Sequence, residues 1–352
     1  MEKYRTIGIM SGSSLDGLDI AYCEFVNDEV WKYDIIIAET IPYPESWLSS
    51  LQEAPNIRAD KLIELDINFG LYIGKKTHDF ISKHGLSPDI VSSHGHTVFH
   101  NPEKGYTLQI GNGQAIAQSC GIKTINDFRT GDILLGGQGA PLVPIGDRLL
   151  FSEYDYCLNI GGIANVSYEK DGKRIASDIC PANQLLNYLS RQLGSPFDTN
   201  GNYAQLGKLN LELFKNLNNH NYYSLDIPKS ISNQLVVSEF IPILDNSDTS
   251  VQDKLYTVCK HIAFQLHKSL ENRPDQIIVI TGGGAHNTFL TTAIKLETGL
   301  NVVLPSKRVV DFKEAMIFAF LGVLRSSSEV NCLASSTGAD RDSSVGVIHY
   351  PL

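Results

Sequence analysis

No run of about 18 apolar residues occurs anywhere in the 352-residue sequence, so a transmembrane helix is not expected. Cysteine is sparse and scattered: Cys23, Cys120, Cys157, Cys180, Cys259 and Cys332 lie far apart with no C-x-x-C pair. That spacing argues against a disulfide framework and fits reduced thiols in the cytoplasm. Positive charge is in deficit, with 29 Lys and Arg against 39 Asp and Glu and a net charge of -10. A nucleic-acid groove or an anionic membrane surface is therefore not an expected partner. A small anion is not excluded, because helix N-termini and a few placed cations outweigh distant surface charge at the site itself. The opening "MEKYRTIGIM" has no apolar stretch long enough for a signal peptide and runs straight into a strand pattern, which adds to the cytoplasmic expectation.

With 42% hydrophobic and 19% charged residues, the composition is that of an ordinary globular protein long enough for two domains. Residues 5–11 and 18–26 read as strands around a turn. Leu62, Leu65, Phe69, Ile73, Thr77 and Phe80 are spaced for one buried face of a helix from Lys61 to Lys83, which Gly85 and Pro88 stop. "DIVSSHG" reads as a buried strand entering a turn, and "YCLNIGGIANVSYE" as a second strand, turn and strand. Leu255, Val258, Ile262 and Leu266 mark another helix, followed by "QIIVITGGGAHN" and the strand "NVVLP". In the final long helix, the small residues Ala315, Ala319 and Gly322 suggest close packing at a domain hinge. Strands alternating with helices make this an α/β protein with mixed sheets.

Two strand-turn-strand segments, each opening half of the chain, suggest a duplicated domain with a ligand held between the halves. The first turn is glycine- and serine-rich, with Gly12, Ser13, Ser14 and Gly17, and carries Asp16 and Asp19. Such a turn offers backbone N–H groups and hydroxyls to phosphate oxygens, while its carboxylates suit a hydrated Mg²⁺. Asn159, Gly161, Gly162 and Asn165 read as an opposing wall. Gly282, Gly283 and Gly284 read as a floor for the nucleoside, since three glycines after a strand fill no core. The opening turn matches neither the dinucleotide-binding nor the P-loop fingerprint.

The ordered segments "MSGSSLDGLD", "SSHGHTVFHNP", "LQIGNG", "NDFRTGD", "GGQGAPLVP", "LNIGGIANV", "FDTNG", "TGGGAHN", "EAMIFAFLG" and "SSTGA" resemble the anhydro-N-acetylmuramic acid kinase family of the actin-like ATPase superfamily, from about Gly8 to Ile348. The resemblance implies two actin-like (ribonuclease H-like) α/β domains: residues 1–145 with 312–352, and residues 146–311. It implies ATP-dependent phosphorylation of O6 of 1,6-anhydro-N-acetylmuramic acid while water opens the anhydro bridge, giving N-acetylmuramate 6-phosphate in peptidoglycan recycling. By the family's pattern, Asp178 in "SDICPANQLL" is the catalytic base, and His94, Asp127, Arg129 and Glu314 contact the sugar, Arg129 through the lactyl carboxylate. The resemblance also suggests a homodimer.

The sequence departs from the pattern at Ser13, at His96 and at Asn187, keeps only Pro-Lys-Ser of a longer motif between Ile227 and Gln234, and has Ile179 and Cys180 beside the expected base. Those last two suggest added bulk near the reacting atoms. A kinase for another amino sugar without hydrolysis, or a silent protein that binds cell-wall fragments, are the alternatives. Plainer readings stand beside several residues. Asp16 and Asp19 could stabilise their own turn, Asp178 could cap a helix, and Arg129 and Glu314 could form an interdomain ion pair. His94, His96 and His100 suit sugar contacts or buried hydrogen bonds better than a metal.

Overall fold

The computed structural model describes residues 2–12, 15–271 and 273–352, so the expectations for Ser13 and Ser14 lie outside the described residues. The chain divides into two compact units, Met1–Leu150 with Phe312–Leu352, and Phe151–Asp311. The helix Pro144–Leu150, which a boundary at 145 would split, belongs whole to the first unit.

The first unit is built on strands β1 (Glu2–Ser11), β2 (Leu18–Asp28), β3 (Val30–Ile41), β4 (Ile90–Ser93), β7 (Thr124–Asn126) and β13 (Val347–His349), in the order β13-β7-β4-β1-β2-β3. β5 (His96–Asn101) and β6 (Tyr106–Ile110) form a separate ribbon. β1, β2 and β3 run antiparallel, while β4 and β7 continue from β1 in parallel. The helix Ala59–His84 buries Phe69, Ile73, Thr77 and Phe80 against the sheet, with Leu62 and Leu65 half-covered at its edge. It ends at Gly85 in the left-handed conformation, whose N–H caps the Ile81 carbonyl.

The second unit repeats the pattern with β8 (Tyr156–Ile160), β9 (Ile163–Lys170), β10 (Lys173–Pro181), β11 (Ile277–Thr281) and β12 (Asn301–Val303), ordered β10-β9-β8-β11-β12. Again the first three strands are antiparallel and the next two parallel. Helix Val251–Ser269 packs Leu255, Val258, Ile262 and Leu266 into its core, all fully buried.

The small residues of helix Lys307–Ser326 pack against the first unit's own sheet. A Cβ on Gly8 of β1 would lie 1.8 Å from the Ala315 carbonyl oxygen and 2.9 Å from the Ala319 Cβ, and one on Gly322 would lie 2.6 Å from the Ser92 Cβ of β4. Ser92 Oγ donates to the Phe318 carbonyl at 2.5 Å. Helix backbone and sheet backbone approach so closely that no larger side chain fits.

Candidate active site

In the first unit, β1 ends at Ser11 and β2 begins at Leu18, with six residues, Gly12–Gly17, between them. Asp19 is one residue inside β2, opposite Met10 of β1 and Thr40 of β3. Thr40 Oγ1 donates to Asp19 Oδ1 at 2.5 Å, so this contact of Asp19 is across the sheet rather than to its own turn. Asp16 is exposed on the turn and Gly17 is buried, where a Cβ would strike the Ile41 carbonyl oxygen at 2.6 Å.

His94 follows β4 and is buried. Its Nε2 accepts from Arg129 Nε at 3.1 Å and Nη2 at 2.9 Å, which leaves Nδ1 to carry the proton and donate to the Gly95 carbonyl at 3.0 Å. Burial, reinforced by the Arg129 charge, holds this imidazole well below the ordinary histidine range, so it stays neutral. Arg129 Nη1 donates to the Gly139 carbonyl at 2.7 Å. Three of the five guanidinium N–H groups are thus used inside the protein, and two remain for a ligand. Burial pulls Arg129 down to about 10, opposed by the charge of Glu314.

Glu314 is solvent-accessible yet closely surrounded by protein. Desolvation raises its carboxyl first and the Asp19 charge next, while Lys313 and Arg129 pull the other way. Lys313 itself is tied to Asp147 in a buried ion pair at 2.6 Å. Arg129 and Glu314 both belong to the first unit and sense each other's charge without an ion pair, which corrects the interdomain reading. Asp127 has a positive φ of 54° and accepts from the Thr130 N–H at 3.2 Å, so it shapes the turn that aims Arg129. The other two histidines of the run have separate partners. His96 Nδ1 is 3.1 Å from Ser11 Oγ, which accepts from the buried Tyr43 hydroxyl at 2.8 Å, and His100 Nδ1 is 3.1 Å from Thr107 Oγ1.

In the second unit, strand register brings Thr281, Asn159, Asn165 and Asp178 into one row across β11, β8, β9 and β10. Residues paired across neighbouring strands share a face, so these polar side chains are neighbours although 122 positions separate Asn159 from Thr281. The turn between β8 and β9 is only Gly161–Gly162. Its carbonyls accept from the first N–H groups of the next helix: Asn183 N to Gly161 at 3.1 Å, Ala182 N and Gln184 N to Gly162 at 2.9 and 3.2 Å. Two of the three later glycines turn out to be packing residues after all. A Cβ on Gly282 (φ 79°) would lie 2.5 Å from Asn159 Oδ1, and one on Gly284 would lie 2.2 Å from the Ile160 Cγ2. At Gly283 the nearest atom is Asn183 Nδ2, at 3.6 Å, leaving room.

Asp178 is not a helix cap. It lies within β10, and the N-cap of the following helix is Ala182. Its Oδ2 accepts from the Ile231 N–H at 2.9 Å, its N–H donates to the Lys229 carbonyl at 2.9 Å, and its carbonyl accepts from the Tyr222 hydroxyl at 2.8 Å. Desolvation raises its carboxyl above the ordinary aspartate range, with the Ile231 bond as the smaller opposing cause. A bulge between Asp178 and Cys180 ends the row. Ile179 and Cys180 are buried in the hydrophobic core, so the expected bulk beside the reacting atoms goes into packing instead. Tyr222, Lys229 and Ile231 were not legible as partners of Asp178. The Pro-Lys-Ser fragment was the only signal, and nothing local links it to a strand some fifty residues earlier.

A pair of units, each on a mixed sheet whose first five strands run in the order 3-2-1-4-5 (the first sheet adding β13 at its edge), with polar groups gathered where the first two strands turn, defines an α/β protein of the actin-like class. The chain belongs to the anhydro-N-acetylmuramic acid kinase family, whose model matches residues 4–351. It is 33% identical over 369 residues to the anhydro-N-acetylmuramic acid kinase of Shewanella loihica, covering 98% of each chain. It is 34% identical over 375 residues to that of Shewanella halifaxensis, covering 99% of each, and 32% identical over 376 residues to that of Vibrio cholerae, again covering 99% of each. Among solved structures it is similar to xylulose kinase from Lactobacillus acidophilus, with a TM-score of 0.46, 10% identity, and coverage of 99% of this chain and 94% of that one.

Proposed function

We propose that the protein uses ATP to convert 1,6-anhydro-N-acetylmuramic acid to N-acetylmuramate 6-phosphate, opening the anhydro ring with water, as a step of peptidoglycan recycling. The observation that carries this reading is the family match over residues 4–351. In it, Asp178 takes a proton from water as the water oxygen bonds to C1. The C1–O6 bond breaks, and O6 attacks the γ-phosphorus as the bond to ADP breaks. The reading is supported by the three hydrogen bonds that fix Asp178 and by its half-burial, which raises its basicity.

Arg129 offers its two remaining N–H groups to the lactyl carboxylate, with His94 holding the guanidinium and Asp127 its backbone; Glu314 completes the sugar contacts. Gly12 and Gly17, with Asn159, Gly161, Gly162 and Asn165, are taken to bound the phosphates, and Gly282–Gly284 the nucleoside, Gly283 being the position with space. Asp16 and Asp19 suit Mg²⁺ held through water. Asp16 is exposed on the turn and Asp19 lies one residue inside β2, and carboxylates are the ligands a hydrated divalent cation takes. When bound, Mg²⁺ would neutralise charge on the transferring phosphates. The same reading takes the protein as a cytoplasmic homodimer, a state that sedimentation checks.

The test is to incubate the protein with Mg–ATP and the anhydro-sugar, follow ADP, and weigh the product. ADP formed with a phosphorylated, ring-opened sugar supports the reading. ADP formed only with sugars lacking the bridge, or sugar binding without turnover, sinks it.

A further inference from the structure

The second unit also has an open cavity of about 920 Å³, within the size range of small-molecule sites. Lys170, Lys215, Lys229 and Lys268 line it, against one carboxylate, Asp226. None of the four is in an ion pair among the described residues. In a chain with a net charge of -10, this is a local reversal of sign. The half-buried Lys229 ammonium donates to the Tyr222 and Leu225 carbonyls at 3.2 and 3.1 Å, partners an anion can replace.

The rest of the lining combines aromatic rings with polar side chains, among them Asn218 and Gln265. Phe214 and Phe264 meet edge to face at 5.3 Å, which offers single ring faces rather than a flat slot for a base. The Tyr223 hydroxyl is 2.8 Å from His261 Nε2, and Asn218 Oδ1 is held by His261 Nδ1 at 2.8 Å and Gln265 Nε2 at 2.7 Å. This network fixes the wall before any ligand arrives. Lysines as point charges suit a phosphate, and a single aromatic face suits the CH surface of a sugar ring.

We propose that this cavity binds a phosphorylated sugar, and that its occupant slows turnover by acting on Asp178 through Lys229. Lys229 joins the two places. Its carbonyl accepts from the Asp178 N–H, and Ser177 Oγ is 3.1 Å from its N and 3.2 Å from its carbonyl oxygen. A phosphate that draws the ammonium away from the Tyr222 and Leu225 carbonyls pulls on the strap that positions the aspartate. The coupling rests on Asp178 being the base; the binding does not.

The experiment titrates N-acetylmuramate 6-phosphate by calorimetry into the full chain and into Lys215→Ala/Lys268→Ala, both exposed positions. Unphosphorylated N-acetylmuramate is the control, and binding of a nonhydrolysable ATP analogue checks folding. The expected result is phosphate-dependent binding that weakens with salt and falls about tenfold or more in the variant, with analogue binding unchanged. Equal binding by the variant, or equal binding of the unphosphorylated sugar, overturns the site. Kinetically, the sugar phosphate should inhibit the wild type in a way that neither ATP nor anhydro-sugar relieves, and the variant should lose that component. Inhibition fully relieved by substrate overturns the coupling. A chain that does not turn over the anhydro-sugar removes the proposed function, while calorimetry still decides the cavity.

Discussion

The first five strands of the first sheet and the five of the second share order and sense, so the same level can be read across both. At the second pair from the first hairpin's end stand Met10, Asp19 and Thr40; at the same level of the second stand Asn159, Asn165 and Asp178. The first unit puts its carboxylate on the middle strand and the second puts it on the outer strand. The number of residues between the first two strands differs too, six against two. A repeated backbone therefore fixes where polar groups gather without fixing their chemistry. Asp19 meets Thr40 across the sheet, whereas a tight turn whose carbonyls are spent on a helix leaves Asp178 to be held by the segment from Tyr222 to Ile231.

The sharpest way to break this contrast is to remove the outer carboxylate. Asp178→Asn is expected to lower kcat by roughly 10²–10⁴-fold while nucleotide affinity, measured by calorimetry, holds. A near-normal rate would show that the two levels do not differ in role. The acid limb of kcat/KM should also lie above the ordinary aspartate range. Burial raises Asp178, so the base is lost by protonation at a higher pH than an exposed aspartate would be.

Packing gives the next largest effect. Gly8→Ala puts a Cβ on the Ala315 carbonyl and should destabilise the protein by about 3 kcal/mol or more in a denaturant melt. Gly161→Ala meets nothing closer than 3.6 Å and should cost under about 1 kcal/mol. Equal losses would contradict the difference in helix–sheet approach. Tyr222→Phe removes one donor from the Asp178 carbonyl; a cost of about 1–3 kcal/mol is expected, read as a drop in kcat with the KM for ATP unchanged. A matching rise in KM would point to general damage instead.

The smallest effect concerns the neutral histidines. His94 in the first unit and His261 in the second are both held below the ordinary range by burial, His261 at about 3. Below about pH 6.5 the unfolded chain takes up protons that the folded one refuses, so stability falls as pH drops through that window. His94→Gln should flatten the fall in melting temperature between neutral and mildly acid pH by about 2–4 °C. An unchanged slope would show that this imidazole titrates alike in both states.

Local chemistry alone determined much of this molecule. The buried stripe of helix Ala59–His84, the strands around the first turn and the duplicated strand-turn-strand segments were legible because periodicity and turn composition act over a few residues, and the ordered motifs carried the family resemblance. Tertiary structure decided the rest. Only strand register could align Asn159, Asn165 and Asp178 with Thr281, and only packing could show that Gly282 and Gly284 are kept small by Asn159 and Ile160. Ile179 and Cys180 followed a bulge into the core, and Tyr222, Lys229 and Ile231 reached Asp178 across 44 to 53 positions. Contacts that span such distances depend on where the whole chain has gone, which no short stretch of sequence encodes.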